Sequence, residues 1–329
     1  MYLKLVEPLN FEQEDFLRGR MNVLLPDETI IDYKSAGEGN MNVVLRVLTQ
    51  KQSFILKQSR PYVNKYPQVA APFHRISIEK AFYDCVSKEK TLSGFIPKVF
   101  DYHEENQILA LEDLGEGKDF SGIYLDKIRL QETDGIALMQ FLKVLHQVTC
   151  PDFPTNSEMK KLNHEHIFIF PFDKNSSFDL NQIQPGLEDV ASRCRNHPVL
   201  SEKVAALGIR YLSRGNHLLH GDFYPGSWLK TGSGVKVIDM EFAFLGDREF
   251  DLGVMAAHLM LAKTQPSKIR DLKHGYGLEG LDMPLLSGFT GVEILRRLFG
   301  LAQLPLGLTL PEKKELAERA SNLIIYGEK

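Results

Sequence analysis

The acids Asp222, Asp239 and Glu241 are of a type, and at a spacing, that can do chemistry. Asp222 closes His220-Gly221-Asp222 behind the apolar pair Leu218–Leu219, and Asp239 and Glu241 follow the apolar run Val235–Ile238 as Asp-x-Glu. Each acid stands where a short strand gives way to a loop, the place where a rigid scaffold presents reactive groups. The turn Thr231-Gly232-Ser233-Gly234 reads as the link between the two strands. Transfer of a phosphoryl group to an alcohol needs one carboxylate to orient the hydroxyl and accept its proton, and further acids to hold Mg²⁺ on the phosphates. Asp222 suits the first task. Asp239 and Glu241 suit the second, because in an extended segment residues two apart project to the same side and can meet one metal. The plainer reading is an Asp in a turn and two acids on a solvated strand end.

Upstream residues bear on that choice. Gly37-Glu38-Gly39-Asn40 lies between two strand-like segments, and glycine there lets backbone N–H groups approach a phosphate. The segment lacks the Gly-Lys-Ser/Thr of a P-loop, and no helix follows directly, which argues against a dinucleotide site. Taken alone it reads equally well as a hairpin turn. Lys57 ends the apolar run Phe54–Leu56, and a lysine there needs a counter-charge, for which Glu79 on the next helical stretch is the natural partner. A strand lysine paired with a helix glutamate is how kinases hold ATP phosphates. The order glycine, lysine, glutamate, then paired acids favours phosphoryl transfer over solvated surface charge.

The elements that must position these residues fall into two parts. From Thr29 to Glu112 the pattern is β-rich: Val43–Leu48 and Phe54–Lys57 are strands, and Pro97–Phe100 with Ile108–Leu111 form a hairpin. Between them, an irregular stretch holds Pro61, Pro67 and Pro72, and then Ile78, Phe82, Cys85 and Val86 fall at helical spacing. Beyond residues 112–118 the chain reads as helices over 134–148, 187–194, 198–214, 250–262, 291–301 and 311–325, with Gly215 as a C-cap and 164–172 as an aromatic insertion. The expectation is an α+β chain of two lobes, residues 1–114 and residues 115–329. His164 and His166 read as ordinary surface or core residues, His220 as a loop-holding residue, and Asp247 and Asp251 as caps of the helix that follows them.

Several of these segments together resemble the aminoglycoside phosphotransferase and choline kinase superfamily, and within it the methylthioribose kinases. HGDFYPGS and VIDMEF resemble its catalytic and metal-binding segments, GEGNMNVVLRV its phosphate-loop strand pair, ILKQSRPYV its lysine strand, and GVEILRRLFGLAQL its late helix with two arginines. The likeness runs in order from about residue 37 to 303. It implies a protein-kinase-like fold with ATP in the cleft, its phosphates against Gly37, Gly39, Asn40 and the Lys57–Glu79 pair. The backbone of Glu112–Leu114 would be the hinge that meets adenine, Asp222 the base, and Asp239 and Glu241 the Mg²⁺ ligands. Arg296 and Arg297 would line the acceptor side. Ser227 stands where most of the superfamily has a metal-binding Asn, the variation found in methylthioribose kinases. Two features depart from those kinases: the stretch Asn64–His74 carries no tryptophan, and the region between Phe250 and Gly291 is shorter. The implied acceptor is methylthioribose or a related pentose, with an aminoglycoside, choline or a homoserine-type alcohol as the alternative. A nucleotide-binding pseudokinase is a further reading, disfavoured because Lys57, Asp222 and Asp239 are all retained.

The remaining bulk properties exclude other classes. The 329 residues are 43% hydrophobic and 25% charged, an ordinary globular composition with a formal net charge of −4. That balance argues against nucleic acid or an anionic membrane as partner, and no apolar run is long enough to span a bilayer. Cys85, Cys150 and Cys194 show no metal spacing and are too few and scattered for a disulfide framework, so a reducing, cytoplasmic setting is expected. The expected partner is a small-molecule alcohol or sugar, and a homodimer is compatible with the sequence.

Overall fold

The computed structural model describes residues 2–7, 9–21, 23–37, 41–277 and 279–327. Gly39 and Asn40, expected at the phosphate loop, lie outside the described residues.

Helix α1 (Phe11–Gly19) starts at a reciprocal capping box between Asn10 and Gln13. Strands β1 (Ile30–Ser35), β2 (Val43–Thr49) and β3 (Ser53–Gln58) follow, then a small hairpin of β4 (Tyr62–Val63) and β5 (Tyr66–Ala70) where the sequence suggested irregular chain. Helices α2 (Arg75–Val86) and α3 (Lys90–Ser93) precede β6 (Val99–His103) and β7 (Ile108–Glu112). The five long strands make one antiparallel sheet in the order β1-β2-β3-β7-β6. Val43, Leu45, Val47, Phe54 and Leu56 alternate onto one face, where they pack with Leu5, Leu9, Leu17 and Met21 of the N-terminal segment. Alternation turns Lys57 to the opposite face, toward α2. Leu109 and Leu111 on that face join a second core, shared by α2 and the rest of the chain.

The larger lobe is mainly helical. After β8 (Lys118–Asp119) come α4 (Glu132–Leu145), α5 (Ser157–His164), α6 (Leu187–Arg195) and α7 (Pro198–Leu212). Strands β9 (His217–Leu219), β10 (Trp228–Thr231), β11 (Gly234–Val237) and β12 (Phe244–Gly246) carry the acid-bearing loops. Helices α8 (Glu249–Leu261), α9 (Pro266–Tyr276), α10 (Met283–Phe299) and α11 (Leu310–Tyr326) complete it. No helix among the described residues is long and apolar enough to cross a membrane.

Several expectations need correction. The Thr231–Gly234 turn joins β10 to β11, whereas β9 pairs with β12, so the two acid-bearing strands lie in separate ribbons. Residues 164–172 are no insertion but continue α5 as a π-helical turn (Glu165–Ile169) and a 3₁₀ turn (Phe170–Phe172). Gly215 is not a C-cap: a Cβ there would lie 2.2 Å from the backbone of Gly246, so glycine allows close chain passage. Helix α10 begins eight residues before the sequence pattern suggested, capped by the Asp282 side chain on the Leu285 N–H, and α9 was not anticipated. Cys85 and Cys150 form a disulfide across 65 residues, with Cα atoms 6.2 Å apart, a proximity that only the fold creates.

Candidate active site

The loop after β9 is built around Gly221. Its φ of +84° and the 2.1 Å that would separate a Cβ from the Phe242 carbonyl oxygen both exclude a larger residue. The buried Asp251 carboxylate accepts from the N–H groups of His220 at 2.8 Å and Gly221 at 3.0 Å, and lies 3.2 Å from His146 Nε2. Asp251 thus pins the loop; it is not a helix cap, and Asp247 instead forms a two-pronged pair with Arg210 at 2.6 Å. His220 Nε2 donates to the Ile238 carbonyl at 3.0 Å, tying this loop to the end of β11. That is the loop-holding role its sequence setting suggested. Asp222 follows, with Oδ1 buried and without a hydrogen-bond partner. Burial pushes its carboxyl pKa up, while Arg296 and Arg297 pull it back.

Across from this loop stands the Lys57 cluster. Lys57 Nζ is 2.8 Å from the Glu79 carboxylate and 2.7 Å from Asp239 Oδ1. Burial disfavours the ammonium, but Asp239 and Glu79 more than compensate and hold its pKa above the ordinary lysine value. The Asp239 side chain is 46% exposed, so this carboxylate remains open to solvent and ligand. Asp239 has left-handed backbone (φ 67°, ψ 57°) and Met240–Phe242 form a 3₁₀ turn. The segment is therefore not extended, and the same-side argument for Asp239 and Glu241 does not hold. Glu241 is buried and turned to Asn42 Nδ2, at 2.9 Å, and Arg75 Nε, at 3.2 Å. Among the described residues no three His, Cys, Asp or Glu side chains converge as a ready metal cage. Mg²⁺ in phosphoryl transfer takes one or two carboxylates and fills its shell with phosphate and water, which the exposed Asp239 oxygens suit.

Arg296 and Arg297 are buried, not on a solvated face. Both are held by Glu293 one turn earlier, and both approach Asp222 Oδ1, at 3.9 Å and 3.6 Å respectively. The Arg297 guanidinium also lies over the Tyr224 ring, 5.1 Å from its centre. Ser227 is buried below the loop, donating its hydroxyl to the Asp222 carbonyl at 3.0 Å. On the small lobe, Gly37 has a φ of +79°, and among the described residues nothing lies within 4 Å of a Cβ placed there. Glu112 ends β7 with its carboxylate accepting from the Lys98 N–H at 3.1 Å, and Leu114 is partly buried just beyond.

The fold thus brings Lys57, Glu79, Asp239 and Glu241 into one group, and Asp222, Ser227, Arg296 and Arg297 into another. Sequence reasoning missed Arg75, Asn42, Asp251 as a loop anchor, and Glu293. For Glu293 a signal existed, since an acid three and four residues before two arginines faces them on a helix. Arg75 had none: it gathers the carbonyls of Met41, Arg60 and Pro72 with Asn42 and Glu241, and all but Pro72 are distant in sequence.

Residues 32–289 match the phosphotransferase enzyme family. The chain is 28% identical over 319 residues to the methylthioribose kinase of Exiguobacterium sibiricum, covering 81% of this chain and 79% of that one. It is 27% identical over 350 residues to the methylthioribose kinase of a Geobacillus species, covering 90% and 84%. Its fold is similar to that of choline kinase from Streptococcus pneumoniae, with a TM-score of 0.55 at 12% identity over 95% of this chain and 97% of that one. Spectinomycin phosphotransferase, solved with ADP and spectinomycin, gives a TM-score of 0.52 at 15% identity over 97% and 99%.

Proposed function

This chain belongs to the phosphotransferase enzyme family and is an ATP-dependent small-molecule kinase with a hydroxyl acceptor; we propose that its acceptor is methylthioribose or a closely related pentose. The observation that carries the reading is the pair of buried guanidiniums, Arg296 and Arg297, beside an Asp222 carboxylate whose buried Oδ1 has no hydrogen-bond partner. Asp222 orients the acceptor hydroxyl and takes its proton as the oxygen attacks the terminal phosphorus of ATP, the bond from that phosphorus to the β,γ-bridging oxygen breaks and ADP leaves. Lys57, braced by Glu79, holds the phosphates, with the turn at Gly37 on the same lobe. The backbone of Glu112 and Leu114 meets the adenine, and Ser227 supports the loop beneath the phosphates.

Asp239, with its exposed carboxylate, would hold Mg²⁺, whereas Glu241, the other expected ligand, is engaged by Arg75 and Asn42. The ion would neutralise charge on the phosphate oxygens. Arg296 and Arg297 face the acceptor and the phosphoryl group as it moves, where fixed positive forks stabilise developing charge. The same two cations disfavour polycationic aminoglycosides, whose ammonium groups they would repel.

An ATP-consumption screen against methylthioribose, other pentoses, choline, homoserine and aminoglycosides tests the acceptor. Turnover highest with methylthioribose or a pentose is expected. Turnover of an amine-bearing acceptor, with the sugars inert, would overturn the assignment.

A further inference from the structure

Glu293 has no role in the chemistry above, yet it is buried at the centre of the acceptor side, 1% exposed. Its carboxylate accepts from Arg297 Nε at 2.7 Å and from Arg296 Nη1 at 3.0 Å and 3.3 Å. The guanidiniums come no nearer to Asp222 Oδ1 than 3.6 Å and 3.9 Å, too far for hydrogen bonds. A buried carboxylate beside two free guanidiniums would close onto them in short, charge-assisted bonds. Glu293 takes Arg296 Nη1, the atom that also faces Asp222, and anchors Arg297 by Nε so that its Nη2 stops 3.6 Å short, and Asp222 Oδ1 is left unpartnered.

Behind Glu293 lies a brace. His258 Nε2 is 3.0 Å from Glu293 Oε1, and the Tyr124 hydroxyl is 2.6 Å from His258 Nδ1. The Arg pair holds the Glu293 carboxyl well below the usual range despite its burial, so it is ionised and can only accept. Nε2 therefore carries the ring proton, and Tyr124 donates to Nδ1. Burial lowers the His258 pKa to about 4, which keeps the ring neutral and this chain of donors fixed in direction.

We propose that Glu293, braced by His258 and Tyr124, is a positioning residue that holds Arg296 and Arg297 away from Asp222 and so keeps that carboxylate free to accept the acceptor proton. The inference rests on the reading of Asp222 as the base. A purely structural role would need only that Glu293 neutralise two buried cations.

The test compares wild type, Glu293→Gln, Glu293→Asp and Asp222→Asn in phosphorylating methylthioribose and in the slower hydrolysis of ATP, where water replaces the acceptor. For Glu293→Gln, kcat falls at least about tenfold in both reactions, as expected when a base is obstructed, while KM for ATP stays within about twofold. Glu293→Asp, which keeps the charge, recovers part of the loss. A lowered melting temperature with kcat retained, or Asp no better than Gln, overturns the proposal. Should Glu293→Gln fail to fold by circular dichroism, Tyr124→Phe loosens the brace without uncovering a charge. It lowers kcat roughly two- to fivefold at unchanged KM for ATP, and an unaltered kcat contradicts the inference. If Asp222→Asn keeps wild-type rates, the base assignment falls and this inference with it. If Asp222→Asn is inactive while Glu293→Gln turns over normally, only the positioning role falls.

Discussion

Glu241 is buried between Arg75 and Asn42, and burial pushes its pKa up to about 7 against the pull of Arg75 and Lys57. Its folded-state value is thus raised above the ordinary 4.5, and the folded chain binds a proton there that the unfolded chain has already lost. The stability this contributes is complete below about pH 4.5 and disappears as pH rises through about 7. Glu241→Gln removes the titration. The melting temperature of the variant relative to wild type should therefore rise between pH 5 and pH 8, and a flat difference would show that Glu241 does not titrate in that window. At this scale the sequence was most legible where a residue's chemistry is local to its motif. Asp222 after His-Gly, and Lys57 closing an apolar strand, could be picked out because each needs a partner. The burial of Arg296 and Arg297 could not, since their helix is wrapped by α8 and α11 and no local pattern records that.

The elements explain how the loop that carries Asp222 is held. Strand β9 pairs with β12, the Gly221 N–H and His220 N–H converge on Asp251 of α8, and His220 reaches Ile238 after β11. A side chain at Gly221 would strain a left-handed backbone and strike the Phe242 carbonyl. Gly221→Ala should destabilise the protein by roughly 2–4 kcal/mol in urea unfolding and lower kcat at the same time. An unchanged unfolding midpoint would contradict this account of the loop. Strands β2, β3 and β7 were readable because hydrophobic alternation and a short apolar run fix which faces are buried. The partner of β9 was not, because β12 lies about 25 residues further along the chain, beyond the β10–β11 hairpin that the Gly-rich turn signals. Nor was the left-handed turn at Asp239, which redirected Glu241 away from the expected shared position.

At the scale of the whole molecule, the lobes are joined by charged contacts that lie within the site itself. Lys57 of the sheet meets Asp239, Asn42 meets Glu241, and Arg75 at the start of α2 binds both Asn42 and Glu241. Removing Arg75 takes from the buried Glu241 carboxylate its guanidinium partner and from the Arg60 and Pro72 carbonyls a donor. Arg75→Met should cost about 3–5 kcal/mol, whereas Arg75→Met with Glu241→Gln should cost less than the sum of the single changes. Additive losses would mean that the two side chains are not coupled. The two-lobed α+β plan was legible because the shift from β-rich to helical composition near Glu112 follows the chain. The Cys85–Cys150 disulfide and the Arg75 cluster were not, for each joins residues that only the tertiary fold brings together. In the proposed reading, what unites the lobes is transfer from ATP, held on one side, to a hydroxyl oriented by Asp222 on the other. The most direct measurement is ³¹P NMR of phosphomonoester formation from ATP and methylthioribose by wild type and Asp222→Asn. The account predicts a new phosphomonoester resonance with wild type and a rate about 10²–10⁴-fold lower with the variant, the contribution of a positioned base. Ester formation by Asp222→Asn within about tenfold of wild type would contradict it.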